Sequence, residues 1–236
     1  MRNFGRRAGE QPVQKSALCA KHIRICGAAA MNPRFDISGE IGYDLATGAE
    51  VGKFCDMNPG PVDIVINSFG GIATEGAAIF AALERHGQAT AIVQGVAASA
   101  ASLAMLGARQ VLIHHAALVM VHDPAGMAMG GAEDMRGAAA VLDKIGALYA
   151  RIYSRATGNP LERILSWMRD ETWMTADEAV ALNFADAIVG DDTAKPVMVA
   201  AYDYRKFRAP PDHLVKMALQ NGWATVSPKS SEMEKK

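Results

Sequence analysis

Val93-Gln94-Gly95-Val96-Ala97-Ala98-Ser99-Ala100-Ala101-Ser102-Leu103-Ala104-Met105-Leu106 is the stretch on which the reading of this chain turns. A β-branched segment leads in, a glycine interrupts it, and a run of small and apolar residues leads out as a helix. One hydroxyl, that of Ser99, stands where the helix begins. The first N–H groups of a helix have no intrahelical partner and carry partial positive charge, so they would stabilise an anion forming on or beside the Ser99 oxygen. Serine is also a common N-cap, and Ser102 reads as a small buried residue. The choice between cap and nucleophile therefore rests on what flanks the stretch.

Upstream, Val62-Asp63-Ile64-Val65-Ile66-Asn67 is β-branched and nearly continuous, which predicts a strand buried on both faces of a parallel sheet. It ends at Asn67-Ser68-Phe69-Gly70-Gly71, and a helix is expected over Thr74–His86. The strand Thr90–Gln94 then feeds the Ser99 helix, followed by the apolar runs Val111–His114 and Ala117–His122. This is a βαβ succession, whose right-handed crossovers gather the loops at the carboxyl ends of the strands on one side. The turns after Asn67 and Gln94 are therefore predicted neighbours. Before them, Phe35–Gly42 alternates like a short strand and Ala46–Met57 is weakly helical. After them come a Gly/Met-rich loop from Asp123 to Gly131, a long helix over Ala132–Arg155 and a shorter one over Leu161–Met168. A Thr175/Glu178 capping box then opens a helix through Leu182, and a last strand covers Phe184–Val189.

Composition excludes several classes. The chain has 236 residues, half of them apolar, and 24 Lys and Arg against 25 Asp and Glu, so neither nucleic acid nor an anionic membrane is indicated as a partner. Cys19, Cys26 and Cys55 form no CxxC pair and have no histidine at zinc-ligand spacing. A reducing, cytoplasmic setting is expected, with no metal and no cofactor. No membrane span is expected, because polar residues and glycines interrupt Val93–Ala108. Three regions follow: 1–33, a disordered basic arm or an over-long start; 34–192, the folded domain; and 193–236, an extension that is largely linker or disorder, with one weak helix at Asp212–Gln220.

Three motifs occur in order at strand ends: Asn67-Ser68-Phe69-Gly70-Gly71, Gly95-Val96-Ala97-Ala98-Ser99 and Met120-Val121-His122-Asp123-Pro124. With Ala176-Asp177-Glu178-Ala179 and Phe184-Ala185-Asp186, they make the chain resemble the Clp-type serine proteases over about Phe35 to Val189. The resemblance implies a ClpP/crotonase-type α/β fold of stacked βαβ units with a projecting handle helix. It implies that Ser99 is the nucleophile and His122 the general base, with oxyanion-hole N–H groups from Gly71 and Ala100. Histidines 114 and 115 are rival bases at positions where the family has no catalytic residue. Aligned without gaps, the family's acid falls on Glu171, with Asp170 one residue away; the two are exclusive alternatives, and a Ser–His dyad is a third. Phe69 stands where the family pattern has proline.

As partners, the resemblance implies protein or peptide substrates and self-association into stacked, heptameric rings. A Clp ATPase partner stays open, because the amino-terminal arm does not match the loops that meet an ATPase ring. Glu171-Thr172-Trp173-Met174-Thr175-Ala176 and the appended tail look more like Clp-related proteases of phage or prophage head-assembly modules, which cut capsid precursors. Three other readings are an acyl-CoA enzyme of the crotonase group, a Ser–Lys hydrolase, and an inactive ring-forming scaffold. No lysine lies between Lys53 and Lys144, which weakens the second.

Overall fold

The computed structural model describes residues 32–190 and 203–222. Residues Arg34–Ile41 form β1, Gly48–Met57 α1, Val62–Gly71 β2, Ala73–His86 α2, Ala89–Ala98 β3 and Ala100–Met105 α3. Then come β4 (Gln110–His114), β5 (Leu118–Val121), α4 (Ala132–Thr157), α5 (Leu161–Asp170), β6 (Thr172–Thr175), α6 (Ala176–Ala181) and β7 (Ala187–Val189). A 3-10 turn at Tyr204–Lys206 and α7 (Asp212–Gln220) close the described chain.

Strands lie in the order β1-β2-β3-β4-β7, all parallel, with β5 paired to β3 and β6 antiparallel to β5. β3 is the axis of this arrangement. Its first half pairs with β4 from Thr90 to Val93, and its second half pairs with β5 from Val96 to Ala98. Val62, Ile64 and Ile66 alternate along one face of β2 and are wholly inaccessible to solvent. On its other face Val65 is buried but Asp63 and Asn67 are only half-buried, so the expected burial on both faces holds for one face and for Val65 alone on the other. Every residue of α3 is buried, and its run of alanines is what lets that helix sit inside the core.

Two strands run longer than the sequence pattern indicates. β2 was expected to stop at Asn67 and β3 at Gln94, yet parallel pairing resumes beyond an irregularity, with Ser68 opposite Ala97. Gly70 and Gly71 likewise pair with Glu40 and Ile41 of β1. The last strand is shorter than expected because the N–H groups of Phe184 and Ala185 turn back to the Ala179 carbonyl, at 2.7 and 3.1 Å, and close α6 instead. The capping box of α6 is present: Glu178 Oε2 accepts from the Thr175 N–H at 2.8 Å.

α4 is 26 residues long, roughly 39 Å at about 1.5 Å per residue. Only its last third is anchored, through Tyr149, Ala150, Tyr153 and Thr157; most of the preceding turns are exposed. The expected basic arm lies outside the described residues, as do 191–202 and 223–236. Within the extension read as largely linker, 203–222 is folded and packed. Tyr204, Leu214 and Ala218 are buried against Phe69, Leu118 and Trp173. Scattered aromatics before a nine-residue helix carry too little periodicity for that packing to be read from sequence.

Candidate active site

Strand register assembles the site. Ala98 of β3 pairs with Met120 of β5, and the Ser99 N–H donates to the Met120 carbonyl at 2.9 Å, so Ser99 leaves β3 beside the end of β5. β5 pairs in turn with β6, Val121 opposite Thr172, so His122 and Glu171 are the residues just beyond the paired ends of these two strands. Parallel pairing on one side and antiparallel pairing on the other thus bring three residues together across 72 positions of sequence from Ser99 to Glu171.

Ser99 Oγ and His122 Nε2 are 2.8 Å apart. The serine backbone has φ 55° and ψ −122°, a conformation that costs a non-glycine residue about 1–3 kcal/mol and that aims its side chain out of the strand–helix junction. Its oxygen makes no capping bond to α3, so the hydroxyl faces the imidazole rather than the helix. Behind it, Ser102 Oγ donates to the Ser99 carbonyl at 2.7 Å and lies 2.8 Å from the Tyr153 hydroxyl, tying the junction to the anchored end of α4. Ser102 is therefore the buried small residue expected, and it braces the turn as well.

The Gly70-Gly71 turn closes against this junction. Gly70 has φ 97°, and a Cβ there would fall 2.7 Å from Ser99 Cβ and 2.9 Å from the Ala100 nitrogen. Gly71, at φ 147°, would meet the Ile41 carbonyl at 2.2 Å. Ser68, fully buried, holds the turn by donating to the Gly39 carbonyl at 2.6 Å and accepting from the Gly70 N–H at 3.1 Å. The structure thus places Gly70 directly against Ser99 and the Ala100 nitrogen at the start of α3, with Gly71 beside it against β1.

The two candidate acids separate cleanly. Asp170 is exposed and accepts from Ser166 Oγ at 3.2 Å. Glu171 is 6% exposed and lines the cleft with Ser99 and His122. It adopts the left-handed conformation, φ 54° and ψ 73°, that ends α5. Among the described residues no hydrogen bond joins Glu171 to His122. Its Oε2 accepts from the Arg208 N–H at 2.9 Å, and its Oε1 accepts from the Ala209 N–H at 2.7 Å and from Trp173 Nε1 at 3.4 Å. No sequence signal pointed to Arg208 or Ala209, because a backbone donor has no residue signature.

Burial pushes the His122 imidazole below the usual histidine value; the Glu171 and Asp123 carboxylates pull it back up, and the Arg208 guanidinium pushes it down. The ring is thereby kept neutral near pH 7, as a proton acceptor must be. His114 and His115 stack on each other with centroids 4.3 Å apart, at the end of β4, and neither lines the cleft. The cleft is about 1070 Å³ and runs from the Gly-Gly turn past Ser99 to Leu142, Ile145 and Tyr149 of α4. A smaller hollow of about 530 Å³ lies at the opposite, amino-terminal ends of β2, β3 and β4, beside Arg109 and Asp186, and contains no nucleophile–base pair. No group of three or more metal-ligating side chains occurs among the described residues, and no described helix is long and apolar enough to cross a membrane.

A family model described as Clp protease matches residues 56–192. The chain is 32% identical over 155 residues to the ATP-dependent Clp protease proteolytic subunit of Chlorella vulgaris, covering 64% of this chain and 74% of that one. It is 29% identical over 184 residues to the ATP-dependent Clp protease proteolytic subunit 2 of Bacillus licheniformis, covering 75% and 96%. With the corresponding subunit of Chlamydomonas reinhardtii it shares 33% over 141 residues, 58% of this chain but only 27% of that longer protein. A solved ClpP1 mutant from Listeria monocytogenes superposes with a TM-score of 0.59 at 24% identity, covering 67% of this chain and 92% of that one; the two share the fold.

Proposed function

The chain belongs to the Clp protease family and is of its proteolytic-subunit type, and from that premise we propose that it is a serine endopeptidase working through Ser99, His122 and Glu171. The observation that carries this reading is the 2.8 Å approach of Ser99 Oγ to His122 Nε2. Ser99 Oγ attacks the scissile carbonyl while His122 Nε2 takes its proton, and the same nitrogen then returns the proton to the leaving amine. The carbonyl oxygen becomes an oxyanion facing the N–H groups of Gly71 and Ala100, which a Cβ at Gly70 would obstruct. Glu171, buried between α5 and β6, stabilises the imidazolium. Water then repeats the sequence on the acyl-enzyme.

We assign the exposed amino-terminal part of α4 to self-association. Met135, Val141 and Leu148 are 41%, 54% and 42% exposed there, an apolar face suited to a second copy of this chain. Stacked heptameric rings enclosing the sites, supplied by a Clp ATPase or acting alone on capsid precursors in a phage head-assembly module, are the assembly and setting proposed. The last of these rests on the resemblance at Glu171–Ala176. An acyl-CoA enzyme of the crotonase group would use the Gly-Gly turn but has no call for a serine hydroxyl bonded to an imidazole, so the geometry favours the protease. The test is labelling by a fluorophosphonate. Wild type should label, Ser99→Ala and His122→Ala should not, Glu171→Ala should label more slowly, and Asp170→Ala should match wild type. A folded wild type that does not label would leave the scaffold reading.

A further inference from the structure

Two residues of the site depart from the family pattern, Phe69 in place of proline and Glu171 in place of aspartate, and both touch the same short stretch of chain beyond the matched domain. The Phe69 ring meets Tyr204 edge-on at 5.0 Å and lies 5.8 Å from Phe207. The Glu171 carboxylate takes one main-chain N–H on each oxygen, from Arg208 and Ala209. Phe207 packs edge-on against Trp173 at 5.2 Å and stands 6.3 Å from the His122 ring, while the Arg208 guanidinium donates to the Arg169 carbonyl. Tyr204, fully buried against Leu214 and Ala218 of α7, anchors the stretch on its amino-terminal side.

We propose that residues 203–209 are a positioning strap of the active site, whose Arg208 and Ala209 amides hold the Glu171 carboxylate beside His122. The inference rests on the Ser99–His122 reading and adds to it a part of the site supplied from outside the matched domain. A glutamate has one more rotatable bond than an aspartate and needs more restraint to serve as an orienting acid. Two charge-assisted bonds from a rigid backbone supply that restraint. A carboxylate has about four lone-pair positions, so two amides and the indole leave acceptor capacity for His122 Nδ1. The strap also leaves the cleft open: Lys206, Phe207 and Arg208 form a wall of it rather than a plug over Ser99. The anchoring at Tyr204 and the matched substitution at Phe69 are those of a permanent component.

The test uses the full chain and follows fluorophosphonate labelling of Ser99, separating the maximal inactivation rate from the half-saturating probe concentration. Arg208→Pro deletes the amide that Glu171 Oε2 accepts, and Phe207, at φ −86° and ψ 153°, already has the backbone that a following proline requires. The expected result is a roughly tenfold lower maximal rate with the half-saturating concentration unchanged. Arg208→Ala, which retains the amide, should label faster than Arg208→Pro. Phe207→Ala, which loosens the strap while keeping both amides, should slow labelling in the same manner and covers the case in which the proline variant does not fold. In a Glu171→Ala background neither substitution should slow labelling further. An unchanged or raised maximal rate in Arg208→Pro, or an equal fall in both backgrounds, overturns the proposal, a raised rate marking the strap as inhibitory. A wild type that does not label overturns the Ser99–His122 reading itself, and the strap with it.

Discussion

At Gly70 two constraints coincide, a positive φ and contact with Ser99, the proposed nucleophile. Its φ of 97° disfavours any Cβ, and the atom would press on Ser99 Cβ, the Ala98 carbonyl and the Ala100 nitrogen, all within 2.9 Å. Gly70→Ala should therefore shift both the attacking oxygen and the amide opposite it. We expect a loss of about 10²-fold or more in Ser99 labelling rate, with about 1–3 kcal/mol lost in stability by denaturant unfolding. With His122 as the proposed base, its imidazole sets the expected pH dependence. Only its neutral form accepts the serine proton, so activity must fall as pH drops through the imidazole pKa. Burial sets that pKa below the ordinary value of about 6.5, so the acid limb of the labelling rate should have its midpoint below that point. Glu171 raises the His122 pKa by its charge, so Glu171→Gln should move the midpoint further to acid; a move toward neutral pH would contradict the assigned proximity.

Among the elements, the helices and strands that carry a period of 3.6 or a β-branched run were legible, and the site followed from them. α4, β2 and the Ser99 junction arise where pattern and packing agree, and the cap of α6 is written in Thr175 and Glu178. What could not be read is what pairing alone creates. The continuation of β2 and β3 beyond Asn67 and Gln94 depends on Ser68 finding Ala97 on the neighbouring strand. The strap depends on main-chain amides meeting a side chain 37 and 38 positions away. Ser99 and His122 were nameable from motifs and Glu171 was favoured over Asp170 by alignment without gaps, whereas the burial of Glu171 in the cleft wall and the exposure of Asp170 are created by the register of β6. The junction between α3 and α4 is of the same tertiary kind. Tyr153 is fully buried, and its hydroxyl reaches Ser102 Oγ at 2.8 Å. Tyr153→Phe leaves the ring's packing on Tyr149 and Phe184 but removes that partner, so thermal unfolding should show a loss of about 1–2 kcal/mol. Labelling should fall less than in Gly70→Ala, because Ser102 still braces the Ser99 carbonyl.

For the molecule as a whole, α4 joins the proposed association surface to the cleft. Its anchored end carries Tyr149 and Tyr153, which line the cleft, and Tyr149 donates from its hydroxyl to the Ala73 carbonyl at 2.8 Å, just beyond the Gly-Gly turn. Its exposed length carries Val141 and Leu148 to solvent, while Leu142 and Ile145 on the same turns line the cleft. At about 100° per residue, Val141, Ile145 and Leu148 share one stripe of the helix, so a partner helix laid on the exposed residues would lie directly beside the cleft-lining ones. Charges placed on that face should first break self-association and, by releasing α4, loosen the cleft. Val141→Glu combined with Leu148→Glu is expected to lower the sedimentation coefficient from that of an oligomer to that of a 25.0 kDa monomer. The monomer should retain its circular dichroism, because neither residue belongs to the buried core. Its Ser99 labelling should fall as well, since α4 loses support on the cleft side. An unchanged oligomer in the double variant would remove α4 as the association surface, and a dissociated monomer with full labelling would separate assembly from the chemistry of the site.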